Sequence, residues 1–293
     1  VIREVHVKSI LNRHKRRDPW FLDDYSINPY YGCSFGCIYC YTRGSKYGAS
    51  GPVSIKVNAV DVLRRQLELR ARKGQYGIIA ISTSTEPYQV FEMEYGITRQ
   101  ILEVVEEYRF PVHIITKSNM VLKDMDVLRK IDERAILPED LSGRPGRGAI
   151  ITFSISTLDA DVYRRLEPGA PSPVERLRAM EELSREGFLT GLAIIPALVG
   201  ISDDEDSLRE MMRKARDHGA HYVFVGALTL FGSGPHDSKT LFMKFVEENY
   251  PHLYPLYRKM YRSFQPGLKY RRSLEDMWKS LAAEYGLKTS ILE

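Results

Sequence analysis

From residue 25 onward, short apolar runs alternate with amphipathic helical segments, and that alternation restricts the fold more than any other feature of the chain. The runs lie at 25–28, 78–81, 112–116, 149–154, 190–195 and 222–226. Between them, Ile97, Ile101, Val104 and Tyr108 recur at helical spacing. So do the residues at 127–131, the set Leu177, Met180 and Leu183, and the set Leu208, Met211, Met212 and Ala215. Asn58 is the predicted N-cap of a helix presenting Val60, Leu63 and Leu67. Strand–helix alternation of this kind predicts a parallel sheet covered by helices. Six units are too few to close an eight-stranded barrel, so the expected fold is α/β, a curved partial (β/α)6 TIM-like barrel open on one side. From Ser238 the pattern changes to helices rich in Tyr, Lys and Arg, at 241–250, 254–264 and 274–285. The expected organisation is a basic N-terminal arm (1–24), the barrel (25–237) and a C-terminal helical extension (238–293) packed on it as a cap.

Composition supports a globular chain. Apolar residues make up 43% and charged residues 27%, within the ordinary range. No apolar run reaches the roughly 18 residues of a membrane span, so no membrane role is expected. The start, Val1-Ile-Arg-Glu, lacks the apolar core of a signal peptide. The net charge of +4 is too small to argue for nucleic acid by itself. Its distribution is more suggestive. Lys8, Arg13, His14, Lys15, Arg16 and Arg17 crowd the arm, followed by Trp20 and Phe21. Such a run reads either as a phosphate track with stacking aromatics or as a solvated tail.

In a parallel α/β fold, ligands sit at the carboxyl ends of the strands. That rule selects the loops 30–57, 82–93, 117–123, 155–172, 196–204 and 229–240. It places the Gly/Pro-rich loop 137–148 on the opposite face. The first of the selected loops holds all three cysteines of the chain, Cys33, Cys37 and Cys40. Three thiolates on one short loop suit an iron–sulfur cubane, whose usual complement is four, leaving one iron open for chemistry. The alternatives are zinc, which prefers four protein ligands and finds no second Cys or His pair here, and a disulfide, which would leave one thiol over. Cysteines clustered without disulfide partners point to a reducing, cytoplasmic setting.

The spacing C-x3-C-x2-C, with Tyr39 before the last cysteine, resembles that of the radical S-adenosylmethionine (SAM) enzymes. The resemblance implies the partial barrel, a 4Fe-4S cluster held by Cys33, Cys37 and Cys40, and SAM chelating the fourth iron. Reductive cleavage of SAM would then give a 5′-deoxyadenosyl radical. It also implies an electron donor of the ferredoxin or flavodoxin kind. The segment Ser82-Thr-Ser-Thr-Glu86 looks like the stretch that receives the SAM ammonium, which would use Ser82, Thr83, Ser84 and Glu86 as acceptors. Lys117 ends a buried strand and needs an anion there, for which the SAM carboxylate is the candidate. Ser154 and Ser156 are candidates for the ribose or carboxylate, and Tyr41 for a backbone approach to adenine. The stretch from Ile195 to Leu198, including Pro196, is the candidate apolar contact to adenine. In the loop 155–172, Arg164, Arg165 and Glu167 are expected to be structural.

Several phrases are similar to those of a narrower group, the spore photoproduct lyase-related proteins often labelled DNA repair photolyases. They are Lys8-Ser-Ile-Leu, Tyr25-Ser-Ile-Asn-Pro-Tyr-Tyr-Gly-Cys, Thr85-Glu-Pro-Tyr-Gln, Ile115-Thr-Lys-Ser and Leu166-Glu-Pro-Gly-Ala-Pro. This resemblance implies action on a nucleic-acid base or nucleotide, with DNA or RNA as partner. The chain departs from it in having no cysteine beyond the cluster set to donate a hydrogen atom. A tyrosine such as Tyr88 or Tyr95 is the substitute the sequence offers. Two other readings stand beside this one. The first is the same radical chemistry on a small metabolite or peptide. The second is a non-catalytic Fe-S protein that binds nucleic acid or senses redox state.

Overall fold

The computed structural model describes residues 2–48 and 52–292. Val1, residues 49–51 and Glu293 belong to the expected arm, first loop and tail, and lie outside the described residues. Six parallel strands form the body: β3 (Tyr25–Ile27), β6 (Ile79–Ile81), β7 (Val112–Thr116), β8 (Ala149–Ser154), β9 (Leu189–Ala197) and β10 (Tyr222–Ala227). They pair in chain order, and β2 (Asn12–Arg13) adds antiparallel to the outer edge of β3. The sheet is a partial barrel with a gap between β10 and β2. A small second sheet places β5 (Ser54–Lys56) between β1 (Arg3–Val5) and β4 (Tyr30–Tyr31), bracketing the cysteine loop.

Alternation along each strand divides the barrel's two faces. Ile79, Ile81, Val112, Ile114, Ile151 and Phe153 point outward into the main core. That core is covered by α1 (Ala59–Arg72), α3 (Ile97–Glu107), α4 (Met125–Arg134), α6 (Pro173–Arg185) and α7 (Glu205–Asp217), with short α2 (Glu92–Tyr95) and α5 (Ala160–Leu166) inside the loops. Helix α6 begins with a full capping box, Ser172 with Glu175, and a proline at its first turn. Asn58 occupies the N-cap position of α1 but does not cap it. Its side chain instead exchanges two hydrogen bonds with the backbone of Val7, at 2.8 and 2.9 Å, which ties the segment after β1 to the start of α1.

The tail contributes more than a cap. Leu274, Trp278, Leu281 and Ala282 of α10 (Leu268–Glu284) join the main core, so this helix completes the outer layer beside β10. Helices α8 (Ser238–Asn249) and α9 (Tyr254–Met260) form a second core with Tyr39, Leu166 and Leu198, beneath the cysteine loop.

The arm departs furthest from expectation. It does not lie outside the barrel. Past β2 the chain folds into the concave face, where Leu22 packs with Ile150, Tyr222 and Phe224. Trp20 stacks on Phe224 with ring centroids 5.4 Å apart. Arg17 pairs with Asp24 and with Asp140 of the loop 137–148, so its charge is used internally. The Phe21 carbonyl accepts the Nδ1 proton of buried His113 at 2.8 Å, while His113 Nε2 meets Thr152 Oγ1 at 2.5 Å and Thr152 meets the Tyr222 hydroxyl at 2.6 Å. Burial lowers the His113 pKa to about 4, and a neutral ring fits one donor and one acceptor. Among the described residues, no helix is long and apolar enough to cross a membrane.

Candidate active site

The three cysteines line one cavity of about 960 Å3 at the carboxyl ends of the strands. Gly32, at φ 75°, turns the chain out of β4 into their loop. Buried Gln89 then fixes the loop's start, accepting the Ser34 N–H at 2.7 Å and donating to the Gly32 carbonyl at 3.2 Å. Arg43 donates to the carbonyls of Cys37 and Gly36. All three thiols are unbridged and half-buried. Burial pushes the Cys33 thiol up to about 11 and raises Cys37 as well, so both are neutral until something replaces their protons.

A segment that sequence reasoning set aside as structural carries the other side of this loop. The Leu166 carbonyl accepts the Ile38 N–H at 2.9 Å, and the Gly169 N–H donates to the Phe35 carbonyl at 2.9 Å. Between them, the Glu167 carboxylate accepts the Tyr39 hydroxyl and the Arg176 guanidinium, and Lys117 Nζ stands 3.7 Å away. Ser156 Oγ meets the same tyrosine hydroxyl at 2.9 Å. Arg176 is fully buried and Glu167 nearly so. Burial would raise the Glu167 pKa, but Lys117 and Arg176 outweigh it and hold the carboxyl below its usual range.

Most of the expected site residues meet on the cavity wall: Cys33, Cys37, Cys40 and Tyr41 from the first loop; Ser82, Thr83, Ser84 and Glu86 from the second; and Lys117, Ser154 and Pro196 beyond. Ser82 takes a left-handed backbone, φ 65°, unusual for a residue with a Cβ. Two residues do not reach the wall. Ser156 lies behind it on Tyr39 and Glu167, and Leu198 is fully buried in the second core, where the chain has already turned away from β9.

Two expected roles change in detail. Lys117, for which the SAM carboxylate is the candidate anion, also faces one from the protein itself in Glu167, and its ammonium donates to Ser154 Oγ at 2.5 Å. Glu86 is not a free acceptor. It takes Thr116 Oγ1–H, the Lys117 N–H at 2.9 Å and the Tyr88 N–H at 3.0 Å, tying the second loop to the end of β7. Of the two tyrosines considered as hydrogen donors, Tyr88 is buried in the main core and Tyr95 reaches toward Glu4, so neither faces the cavity. Tyr39 and Tyr41 do. The arm's contribution to the wall, including Arg16 and Trp20, was not foreseen.

A partial barrel with three thiols, a lysine and a hydroxyl-rich loop facing one cavity defines a class, and family comparison agrees. The model of the Radical SAM superfamily matches residues 27–215, and the chain belongs to that superfamily. Membership implies SAM and an iron–sulfur cluster as the reacting groups. An uncharacterized protein of Mycobacterium tuberculosis is 27% identical over 90% of this chain and 75% of its own length. Another, from Methanocaldococcus jannaschii, is 26% identical over 79% of this chain and 78% of its own. A protein of Pseudomonas phage M6 named radical SAM Nalpha-GlyT isomerase is 24% identical, over 87% of this chain and 46% of its own. Among solved structures, spore photoproduct lyase complexed with dinucleoside spore photoproduct superposes with a TM-score of 0.69 at 15% identity, covering 98% of this chain and 81% of that one. The fold is therefore shared with that enzyme.

Proposed function

We propose that this protein binds a 4Fe-4S cluster through Cys33, Cys37 and Cys40, cleaves SAM reductively, and acts on a nucleic-acid base or nucleotide. The observation that carries the reading is the convergence of the three thiols with Lys117 and Ser154 on one cavity wall. The donor set fits a cluster. It is soft, held by two independent clamps, and has three ligands where a cubane takes four, which leaves a position for SAM. Among the described residues, no group of three or more His, Cys, Asp or Glu side chains is gathered closely enough to hold a single metal ion, whereas a cubane takes each thiolate on a different iron. With cluster and SAM in place, the site supplies a 5′-deoxyadenosyl radical.

The chain's own residues would do the positioning. Lys117 offers its ammonium to the SAM carboxylate, shared with Glu167 and steered by Ser154. Ser82, Thr83 and Ser84 offer acceptors to the SAM ammonium, while Glu86, with both oxygens already engaged, holds the second loop against the end of β7. Pro196 and Ile195 provide an apolar surface at the end of β9. On the substrate side, the wall carries Trp20 and Phe231 as flat apolar surfaces and Arg16 as a cation with no ion pair among the described residues. Those are the components that stack a base and meet a phosphate. The solved structure that shares this fold is of a lyase complexed with a dinucleoside, which supports a nucleotide-sized substrate.

Anaerobic reconstitution followed by iron, sulfide and EPR analysis tests the cluster. About four irons per chain and a SAM-dependent EPR change are expected; stoichiometric zinc without iron uptake would overturn the reading. 5′-Deoxyadenosine release with DNA, RNA and small-molecule substrates then separates a base substrate from a metabolite or peptide. Deuterium transfer identifies the attacked position.

A further inference from the structure

A second, smaller cavity of about 410 Å3 adjoins the large one, sharing His14, Tyr41, Thr83 and Ser84 on its wall. Ser26, in the middle of β3, opens onto it. His14 Nε2 lies 3.0 Å from Ser26 Oγ, and His14 Nδ1 lies 3.0 Å from Asp23 Oδ2. A hydroxyl on one imidazole nitrogen and a buried carboxylate on the other is the arrangement that activates a serine. It is recognised by these roles and not by chain order. Asn28 lies two residues beyond Ser26 on the same strand line and also faces this cavity. Its amide nitrogen makes one long contact, 3.5 Å to Thr83 Oγ1, leaving an N–H for an oxygen in the cavity.

Fixing the N-terminal segment leaves one feature of Asp23 unused, and Asp23 lines the larger cavity, on the far side of the His14 ring from Ser26. Asp23 is 3% exposed, and its Oδ1 has no hydrogen-bond partner. Leaving a buried carboxylate oxygen unpartnered costs stability, and a pair evolved only to fix the N-terminal segment would satisfy it. The segment is already fixed by the His14 N–H to the Asp24 carbonyl at 2.9 Å and by the Arg17–Asp24 pair.

We propose that Ser26, His14 and Asp23 form a nucleophilic site, with Asn28 as oxyanion donor, for a carboxylic ester or thioester held in the smaller cavity. Ser26 Oγ attacks the carbonyl carbon as its proton passes to His14 Nε2, and the carbonyl oxygen becomes an oxyanion facing the Asn28 amide. The carbon–leaving-group bond breaks, and the departing alkoxide or thiolate takes the proton from His14. Water then repeats the sequence on the acyl-serine, giving the acid and restoring the hydroxyl. Asp23 holds the imidazole in the tautomer that presents Nε2 to Ser26. No electron is transferred, so the site works without the cysteine loop's chemistry.

The test treats cluster-loaded protein with a fluorophosphonate, which loses fluoride to an activated serine, and maps the adduct by peptide mass spectrometry. One adduct per chain, on Ser26, is expected, formed about a hundredfold more slowly in His14→Gln and in Asn28→Ala. No adduct on Ser26 in the parent, or an undiminished rate in His14→Gln, would overturn the proposal. Should the variants fail to fold, the parent alone decides. A p-nitrophenyl acetate burst of about one per chain, abolished by prior fluorophosphonate, supports the site, and absence of the burst overturns it. Neither SAM nor reductant is present, so failure here leaves the radical assignment standing, and should iron loading fail, the same labelling of the protein as purified decides the serine site.

Discussion

Replacing Gly169 by alanine isolates the clamp on the cysteine loop. A Cβ at this position would meet the Ser34 carbonyl oxygen at 2.6 Å, Phe35 Cα at 2.8 Å and the Phe35 carbonyl oxygen at 3.1 Å. All three are backbone atoms of the loop, so no flexible side chain can give way. The glycine's own backbone lies outside the left-handed region, so alanine brings no conformational strain of its own. Relief requires the loop to withdraw from 166–169, weakening the Gly169-to-Phe35 and Ile38-to-Leu166 hydrogen bonds. Overpacking of this kind costs about 1–3 kcal/mol if the contact is held, or shifts the loop if it is not. In a chain of this size, about 1 kcal/mol moves the melting temperature by roughly 2 °C. The expected signature is thus a small loss of melting temperature with a large loss of iron, below half the parent's content after anaerobic reconstitution. Gly143→Ala, where a Cβ meets nothing within 4 Å, serves as control and should match the parent in both. Full iron content in Gly169→Ala, with the parent's EPR spectrum, would refute the clamp.

Lys117→Ala should retain iron but bind SAM about ten- to a hundredfold more weakly, since a charge-assisted bond to a carboxylate is worth roughly 1.5–3 kcal/mol; calorimetric titration checks it. Stability should fall as pH drops from 6.5 toward 4, because unfolded His113 takes up a proton that the folded core refuses. The depressed pKa makes that loss up to about 3 kcal/mol, and His113→Gln should flatten the slope seen in urea unfolding at pH 7.5, 5.5 and 4.5. Neutralising Lys15 and Arg16 together should weaken any nucleic-acid binding and reduce its log–log salt slope by up to about 2 units, read by fluorescence titration. Arg17→Ala should instead lower the melting temperature, because its partners are Asp24 and Asp140.

The barrel was legible because each strand and helix carries its own period, and β7 and β8 fall on the predicted residues. The cysteines were legible because their chemistry is scarce and local. What escaped was long-range pairing of ordinary residues. Arg176 sits in a helix where an arginine reads as solvent-facing, and nothing local announces that Glu167, nine positions earlier, buries it. Asn58 showed the reverse error: a residue with strong local preference was taken by the backbone of Val7, 51 positions away. The arm misled through charge. Its basic run reads as a tail, but Trp20, Phe21 and Leu22 following it carry enough apolar surface to enter the barrel, and that burial decides where the charges end up.

Glu167 joins the two halves of the site. Through Tyr39 it touches the loop that presents the thiols, and through Lys117 it touches the wall expected to receive SAM. Lys117 Nζ lies 3.7 Å from Glu167. An arriving carboxylate would share that ammonium, leaving Arg176 as the principal partner of a fully buried anion. A buried charge that loses part of its pairing is costly, so the geometry favours SAM most when the loop is correctly seated and Tyr39 still donates to Glu167. Reciprocity then requires that SAM tighten the loop as much as the seated loop tightens SAM. Tyr39→Phe, which deletes only the hydroxyl, should therefore lower SAM affinity about 3- to 10-fold although Lys117 and Ser154 are untouched, one hydrogen bond being worth about 1 kcal/mol and one to a charged group more. Parental SAM affinity in that variant, at full iron content, would show that loop and wall act independently.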